Sequence, residues 1–433
     1  MKKISRRQFL AATSMAIAAP AFVPASALGW GGATAASNRV NLGIVGWGLQ
    51  GPGNTEQFLG LKNCQVVAAC DVDKEHLQNA VLTVNRHYGN QACKPYHDYR
   101  EMTASREIDA VMIAVPDNWH ALIAIEAARN KKDIYGEKPL ARTIAEQQAI
   151  VRAVQENKCV WQTGSWRRSQ RSFRRAAEIV RNGLIGKVTR VEVGILAGNT
   201  DLAHTGNKLS ATDPPPHLDY DFWLGPADME PYIEGRVHMN WRWNYNTGGG
   251  QLLDWVGHHC DIAHWGLGFD NGGPFEVEGQ GEFPAKDAVW NTCTKCRITC
   301  KYPDDITMII AGGHNDIKVG TKWIGTEGWV FVDQASYDAS NIDWFGGLPA
   351  SARIKLYKSD NHHKNFIDGV ITRQPCITPV ETAHHSAIPG HLGLISMLVG
   401  RKIKWNVETE TIADDAEATA LLGRPYRAPW KLA

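Results

Sequence analysis

Two groups of residues in this chain have types and spacings that can do chemistry. The first is the run Gly46-Trp47-Gly48-Leu49-Gln50-Gly51, which follows directly on the short apolar stretch 40–45. In such a turn the first glycine permits the tight bend and the second lets backbone approach a pyrophosphate. The third lets helix and strand pack closely. The phosphate then sits on the amino terminus of the following helix, where unpaired N–H groups point outward. Asp71 stands 25 residues after Gly46, at the end of the next apolar run. A carboxylate there bonds ribose hydroxyls and repels a 2′-phosphate, so the pattern points to NAD in preference to NADP. The second group is Asp254 and His258, four residues apart and hence on one helical face. Histidine titrates near neutrality and can take a hydroxyl proton. Asp254, His258 and Asp261, with His259 and His264 crowding the same stretch, also offer a set of metal ligands. Taken alone, the Asp254/His258 pair is equally a plain helix-surface pairing.

The elements that must position these groups alternate. Apolar strands are expected at 40–45, 66–70, 110–115, 133–135 and 159–163, with helices after the glycine turn and at 74–87, 119–129 and 144–156. Strands alternating with helices at this spacing read as βαβ units around a parallel sheet. After Gly164 a basic helix at about 170–182 gives way to longer alternating strands at 189–196, 275–281, 290–302, 307–311 and 329–333, which suit an open, largely antiparallel sheet. Between the first two of these strands lies a long irregular segment, 199–247, rich in Pro, Trp, Tyr and His. Segments of that length inside compact domains are usually functional.

The expected organisation is therefore α/β in two domains: a Rossmann dinucleotide-binding domain at 37–165 and a second α/β domain at 166–433. The second would bind substrate and mediate oligomerisation. Residues 1–36 read as a targeting segment and linker. Lys2 and Lys3 precede Ser5-Arg6-Arg7-Gln8-Phe9-Leu10, an apolar run interrupted by prolines follows, and Ala25-Ser26-Ala27 offers a small-x-small cleavage site. Paired arginines followed by Phe-Leu resemble a twin-arginine signal, which places the mature protein outside the cytoplasm, in the periplasm. A formal net charge of +1 over 433 residues gives no electrostatic case for nucleic acid or an anionic membrane. The nine cysteines include Cys293, Cys296 and Cys300, which read as strand residues because no Gly or Pro turn would converge their thiolates on a metal.

Three motifs, in order and in the appropriate domains, carry a family resemblance. Tyr135-Gly136-Glu137-Lys138-Pro139-Leu140 resembles the Glu-Lys-Pro motif of the glucose–fructose oxidoreductase/inositol dehydrogenase (Gfo/Idh/MocA) family. Pro116-Asp117-Asn118-Trp119-His120 is similar to that family's cofactor-contacting turn after the fourth strand. Gly248 to His258 is similar to its Asp-x-x-x-His helix. The resemblance runs from about Arg39 to the end. It implies an NAD(P)-dependent oxidoreductase acting on a sugar or polyol hydroxyl, with no metal. Pro116, Trp119, His120, Glu137 and Lys138 would contact the cofactor, joined by Gln162 after the last Rossmann strand.

On the same reading Lys138 orients the substrate oxygen and stabilises developing alkoxide. His258 acts as acid/base, and Asp254 steers His258 or binds a hydroxyl. Arg168 is either a substrate contact or an interdomain ion pair. Trp241 and Tyr245 would line a sugar subsite, and His384 and His385 are pocket candidates. NAD is a cytoplasmic metabolite, so an exported enzyme is expected to keep it tightly bound and regenerate it within each cycle. A second carbonyl substrate could take the hydride back. Alternatively, transient oxidation could permit elimination of a glycosidic substituent before hydride return, as in the family's NAD-dependent glycosidase branch, where Tyr245 could serve as acid or base. A non-catalytic sugar-binding protein on the same scaffold is the remaining alternative, and self-association into a homo-oligomer is expected.

Overall fold

A computed structural model describes residues 38–432. The targeting segment expected at 1–36 lies outside the described residues. The first sheet is built from β1 (Val40–Val45), β2 (Cys64–Cys70), β3 (Lys94–Tyr96), β4 (Ala110–Ile113), β5 (Asp133–Gly136) and β6 (Trp161–Thr163). Its order is β3-β2-β1-β4-β5-β6 with every pairing parallel, the arrangement in which strand order reverses beside β1 and opens a crevice at the strand ends. Helices α1 (Gln50–Leu59), α2 (Lys74–Tyr88), α3 (Tyr99–Ala104), α4 (Asp117–Arg129) and α5 (Ile144–Asn157) make the crossovers. Asp73 caps α2, Asp98 caps α3, and Thr143 with Glu146 forms a capping box on α5.

After α6 (Arg171–Arg181), β7 (Val188–Ile195) enters a nine-stranded sheet. It pairs in parallel with β10 (Thr307–Gly312) and antiparallel with β11 (Gly320–Gly325). On the β10 side the sheet continues through β9 (Lys295–Lys301), β8 (Glu276–Glu282), β14 (Ile403–Asn406) and β15 (Thr411–Ile412). On the β11 side it continues through β12 (Trp329–Val332) and β13 (Tyr337–Ala339), all antiparallel. The sheet is thus mixed and mostly antiparallel. One correction falls at 290–294: these residues precede β9 as irregular chain, pinned by Asn291 and Thr292 N–H bonds to the Trp243 carbonyl.

The long segment after β7 is ordered by one short helix, α7 (Tyr220–Leu224), and two 3₁₀ turns, and it leads into α8 (Gly250–Leu267). Helix α8 is almost wholly buried against β7, β11, α6 and α11 (Val380–Val399), and it forms the centre of the larger core with Leu253, Val256 and Cys260. Between β13 and α11 lie α9 (Asp343–Gly346) and α10 (His362–Thr372). The two cores do not divide cleanly along the chain. Phe366 and Ile367 of α10 pack beneath β1 with Phe58 and Tyr135.

Candidate active site

The cradle after β1 is built by close backbone approach. Gly46 has left-handed backbone (φ 93°), and a Cβ there would drive into the Ala114 carbonyl oxygen. A Cβ on Gly51 would meet the Gly46 carbonyl oxygen, so only glycine lets α1 begin against the turn. At Gly48 an added Cβ would find nothing within 4 Å, which is the open side on which a phosphate can lie. Helix α1 has no side-chain N-cap and no acidic residue in its first turn. Its first N–H groups and positive dipole end are therefore left for an anion. The Trp47 N–H donates to Asp71 Oδ2 at 2.8 Å and the Asp73 N–H to Oδ1 at 2.9 Å, which fixes that carboxylate at the cavity wall. Burial raises the Asp71 pKa, opposed by His76 and these two N–H groups.

A cavity of about 390 Å³ runs from this turn to α8, in the size range of small-molecule sites. At the α8 end Lys138, presented just beyond β5, donates from Nζ to Asp254 Oδ1 at 2.8 Å. Gly257 permits the approach, because a Cβ there would stand 3.0 Å from the Lys138 Cβ. Arg242 Nε lies 4.0 Å from the same Asp254 oxygen, with its guanidinium 4.6 Å over the Trp241 ring. Burial alone would raise the Asp254 pKa, but Lys138 and Arg242 outweigh it and hold the carboxyl below its usual range. His258 is one turn further along α8, edge-on to Trp166 and Trp255. Its Nδ1 is buried without a hydrogen-bond partner among the described residues, as is Nε2 of Gln251. Burial, followed by the Lys138 and Arg167 cations, pushes the His258 pKa well below the usual histidine value, so the ring is neutral at pH 7. A fixed cationic donor, an anionic carboxylate and a neutral imidazole with a free nitrogen can hold a hydroxyl and move its proton.

The structure brings Trp47, Gly48, Leu49, Asp71, Pro116, Trp119, Glu137, Lys138, Trp241 and Asp254 to this cavity, with Gly46 forming the turn. Others expected there have different places. Both ring nitrogens of His120 face carbonyl oxygens, of Pro139 at 2.7 Å and Val115 at 3.0 Å, so His120 braces the two turns from behind. Gln162 is fully buried, donating to the His362 carbonyl and accepting from Thr378. Arg168 is clamped by Asp261 and Asp270, which makes it a structural ion pair and removes the Asp261 carboxylate from any metal set with Asp254 and His258. Tyr245 lines a separate cavity of about 370 Å³, stacked under Arg142 at 4.0 Å. His258 stands beside the main cavity, outside its lining, and Gly51 lies beneath the turn. His384 bonds Gln147 and Glu410, away from this cavity, and the His385 ring lies beside it.

Sequence reasoning missed Arg242, Gln251 and Trp255. Gln251 was findable, since it lies three residues before Asp254 on the same helical face. Arg242 lies within the segment 241–245 that the sequence suggests for a sugar subsite, but its place beside Asp254 is set by packing.

A parallel sheet in 3-2-1-4-5-6 order with this cradle, coupled to a second domain that supplies polar groups, defines a dinucleotide-dependent oxidoreductase architecture. The family models described as "Oxidoreductase family, NAD-binding Rossmann fold" and "Oxidoreductase family, C-terminal alpha/beta domain" match residues 40–165 and 170–432. The chain belongs to the Gfo/Idh/MocA oxidoreductase family. It is 26% identical over 206 residues to a myo-inositol 2-dehydrogenase of Thermotoga maritima, covering 45% of this chain and 55% of that one. It is 28% identical over 170 residues to a glycosyl hydrolase family 109 protein of Shewanella woodyi, covering 37% of this chain and 35% of that one. The matches thus span about half or less of these relatives' length. The crystal structure of an aldose-aldose oxidoreductase from Caulobacter crescentus, complexed with glycerol, superposes with a TM-score of 0.61 at 19% identity over 84% of this chain and 99% of that one, a likeness of fold.

Proposed function

We propose that the protein is an exported NAD-dependent oxidoreductase that acts on a sugar or polyol hydroxyl and keeps its dinucleotide bound through turnover. The observation that carries this is the Lys138–Asp254 pair at one end of a cavity whose other end is the glycine cradle. The turn at Gly46, Gly48 and Leu49 would hold the pyrophosphate, and Asp71 the ribose. When bound, the nicotinamide supplies a hydride acceptor for the carbinol carbon. Lys138 donates to the substrate oxygen and stabilises charge growing on it. Asp254, anionic at neutral pH, keeps Lys138 in place and accepts from a neighbouring hydroxyl. His258, one turn further along α8 and beside the cavity, would serve as the acid/base that receives the hydroxyl proton. The inositol dehydrogenase relative supports a polyol or sugar substrate. The signal-like segment at 1–36 supports export, and an exported chain has no pool from which to replace a lost dinucleotide. Exposed alternate residues of the second sheet, such as Glu278 and Lys301, leave a face for self-association.

A second reading is supported by the family 109 relative. In it the same groups would act on a glycoside: oxidation of a ring hydroxyl to a ketone would acidify the neighbouring C–H, loss of that proton would expel the glycosidic substituent as an alcohol, water would add across the resulting enone, and hydride return would restore the hydroxyl. The two readings separate in a screen of polyols, aldoses and aryl glycosides that follows product and the redox state of bound cofactor together. Ketone formation matched by cofactor reduction supports the oxidoreductase. Leaving-group release without net reduction supports the glycosidase. No turnover of any of them overturns both in favour of a binding protein.

A further inference from the structure

At the nucleotide end of the cavity, away from Lys138 and Asp254, the fold gathers a second cluster that this function leaves unused. Asp73 caps α2 through Oδ1 alone, accepting from Glu75 and His76 N–H at 2.9 and 3.3 Å. Its other oxygen, Oδ2, makes no hydrogen bond among the described residues and faces Nε2 of His217 and Nε2 of His238, each at 3.6 Å. Ligand atoms of Asp73, His76 and His238 all lie within 4.8 Å of one another. The residues come from two separate parts of the chain: Asp73 and His76 from the start of α2, and His217 and His238 from the long segment after β7.

Three features distinguish this cluster from incidental surface histidines. The Asp73 carboxylate is buried at 3% exposure while the His76 and His238 imidazoles are about one-third exposed, so the point on which they converge is built by the fold yet open to solvent. Two of the imidazoles are backed by carboxylates: His217 Nδ1 faces Glu75 at 3.6 Å, and His76 Nδ1 faces Asp71 at 3.8 Å. A carboxylate behind one ring nitrogen is the arrangement that orients the other toward a metal. Finally, His238 is held in left-handed backbone (φ 51°), a conformation that costs free energy unless its surroundings hold it there.

We infer that Asp73, His76 and His238 form a binding site for a divalent transition-metal cation of the zinc class, with the remaining position left to solvent. Two imidazoles and one carboxylate are a donor set suited to that class and poorly suited to magnesium or calcium, which take oxygen ligands. The ion would staple the long segment to α2. Backbone bonds already zip the two together there, from Lys74 N–H to the His217 carbonyl at 2.9 Å and from Asp219 N–H to the Val72 carbonyl at 3.1 Å. The staple stands beside Asp71, so it would also close the nucleotide end of the cavity. That consequence rests on the proposed cofactor site, but the metal site itself does not.

The test uses the untagged full chain, stripped with a chelator and titrated with Zn²⁺ by calorimetry, then with Co²⁺ by visible absorption. One equivalent of zinc and a tetrahedral cobalt spectrum are expected. Asp73→Asn keeps an N-capping side chain, and His238→Asn keeps a residue that tolerates left-handed backbone. Each should weaken zinc binding by more than about 100-fold, beyond the loss typical of an outer-sphere partner, with metal-free thermal stability little changed. Absence of zinc uptake by the wild-type chain at micromolar concentration, or uptake unchanged in both variants, would overturn the proposal. Neither readout involves turnover, so its failure is separable from failure of the oxidoreductase reading.

Discussion

The two halves of α8 hold their buried carboxylates in different surroundings. In the second half Asp261 accepts from the Arg168 Nε at 2.9 Å, and Asp270 beyond the helix takes the rest of the guanidinium. In the first half Gln251 Nε2 and His258 Nδ1 are buried with no partner among the described residues, and Asp254 is held by a lysine that reaches it from the other domain. An unpaired buried polar group costs about 1–3 kcal/mol, and α8 carries one in its second half too, at His264 Nδ1; what sets the first half apart is that Gln251 and Asp254 stand on the cavity wall. A closed ion pair asks for nothing. The difference teaches that burial and charge alone do not mark a site, since Arg168 is more deeply buried than Lys138 and serves only the fold.

The contrast breaks most clearly at Arg168. Arg168→Met should strand the buried Asp261 carboxylate and lower unfolding free energy by roughly 3–5 kcal/mol in denaturant titration. Arg168→Met with Asp261→Leu should recover most of that loss. At the other half Lys138→Ala should lower kcat by about 10²–10³-fold, the usual loss for one oxyanion donor, with its thermal midpoint near wild type. A collapse of stability in this variant would erase the distinction between the halves. In the cradle, Gly48→Ala should fold normally because the Cβ meets open space, but weaken dinucleotide binding about tenfold, or ~1.4 kcal/mol. Gly46→Ala should unfold the turn instead.

The remaining effect is a pH dependence at Asp117, whose Oδ1 has no partner and whose pKa burial raises to about 6. The native state then holds this proton more tightly than the unfolded chain. The stabilisation is complete below the ordinary carboxylate value of 3.8 and is lost as pH rises through about 6. Asp117→Asn should therefore gain stability relative to wild type between pH 4 and 7, by up to about 3 kcal/mol. A difference independent of pH would contradict the assignment.

Much of the frame was legible in the residues. Gly46 and Gly51 sit where a Cβ would strike a carbonyl, and the apolar runs of β1, β4 and β5 alternate with helices at a spacing that only a parallel sheet satisfies. Strand β11 was invisible because glycines bound both ends of a short run, Gly320–Gly325. Residues 290–294 looked like strand because their composition suits one, but tertiary bonds to Trp243 hold them irregular. At the site, Lys138 and Asp254 were legible through their motifs. His120, Gln162 and Arg168 carry the right chemistry at the right place in the chain, yet their partners, Val115, Thr378 and Asp261, are what decide their role, and partners are set by packing. The Asp73–His238 cluster could not be read at all, since its members converge from positions more than a hundred residues apart.

The central claim is a dinucleotide retained between the glycine cradle and Lys138. It is tested by denaturing the purified protein and assaying the supernatant for nicotinamide dinucleotide. The account predicts close to one NAD(H) per chain, released only on denaturation, and, without added cofactor, turnover of a polyol or aldose when a second carbonyl substrate is supplied to take the hydride back, or of a glycoside alone. Cofactor-free protein that works only when millimolar NAD is supplied would contradict it.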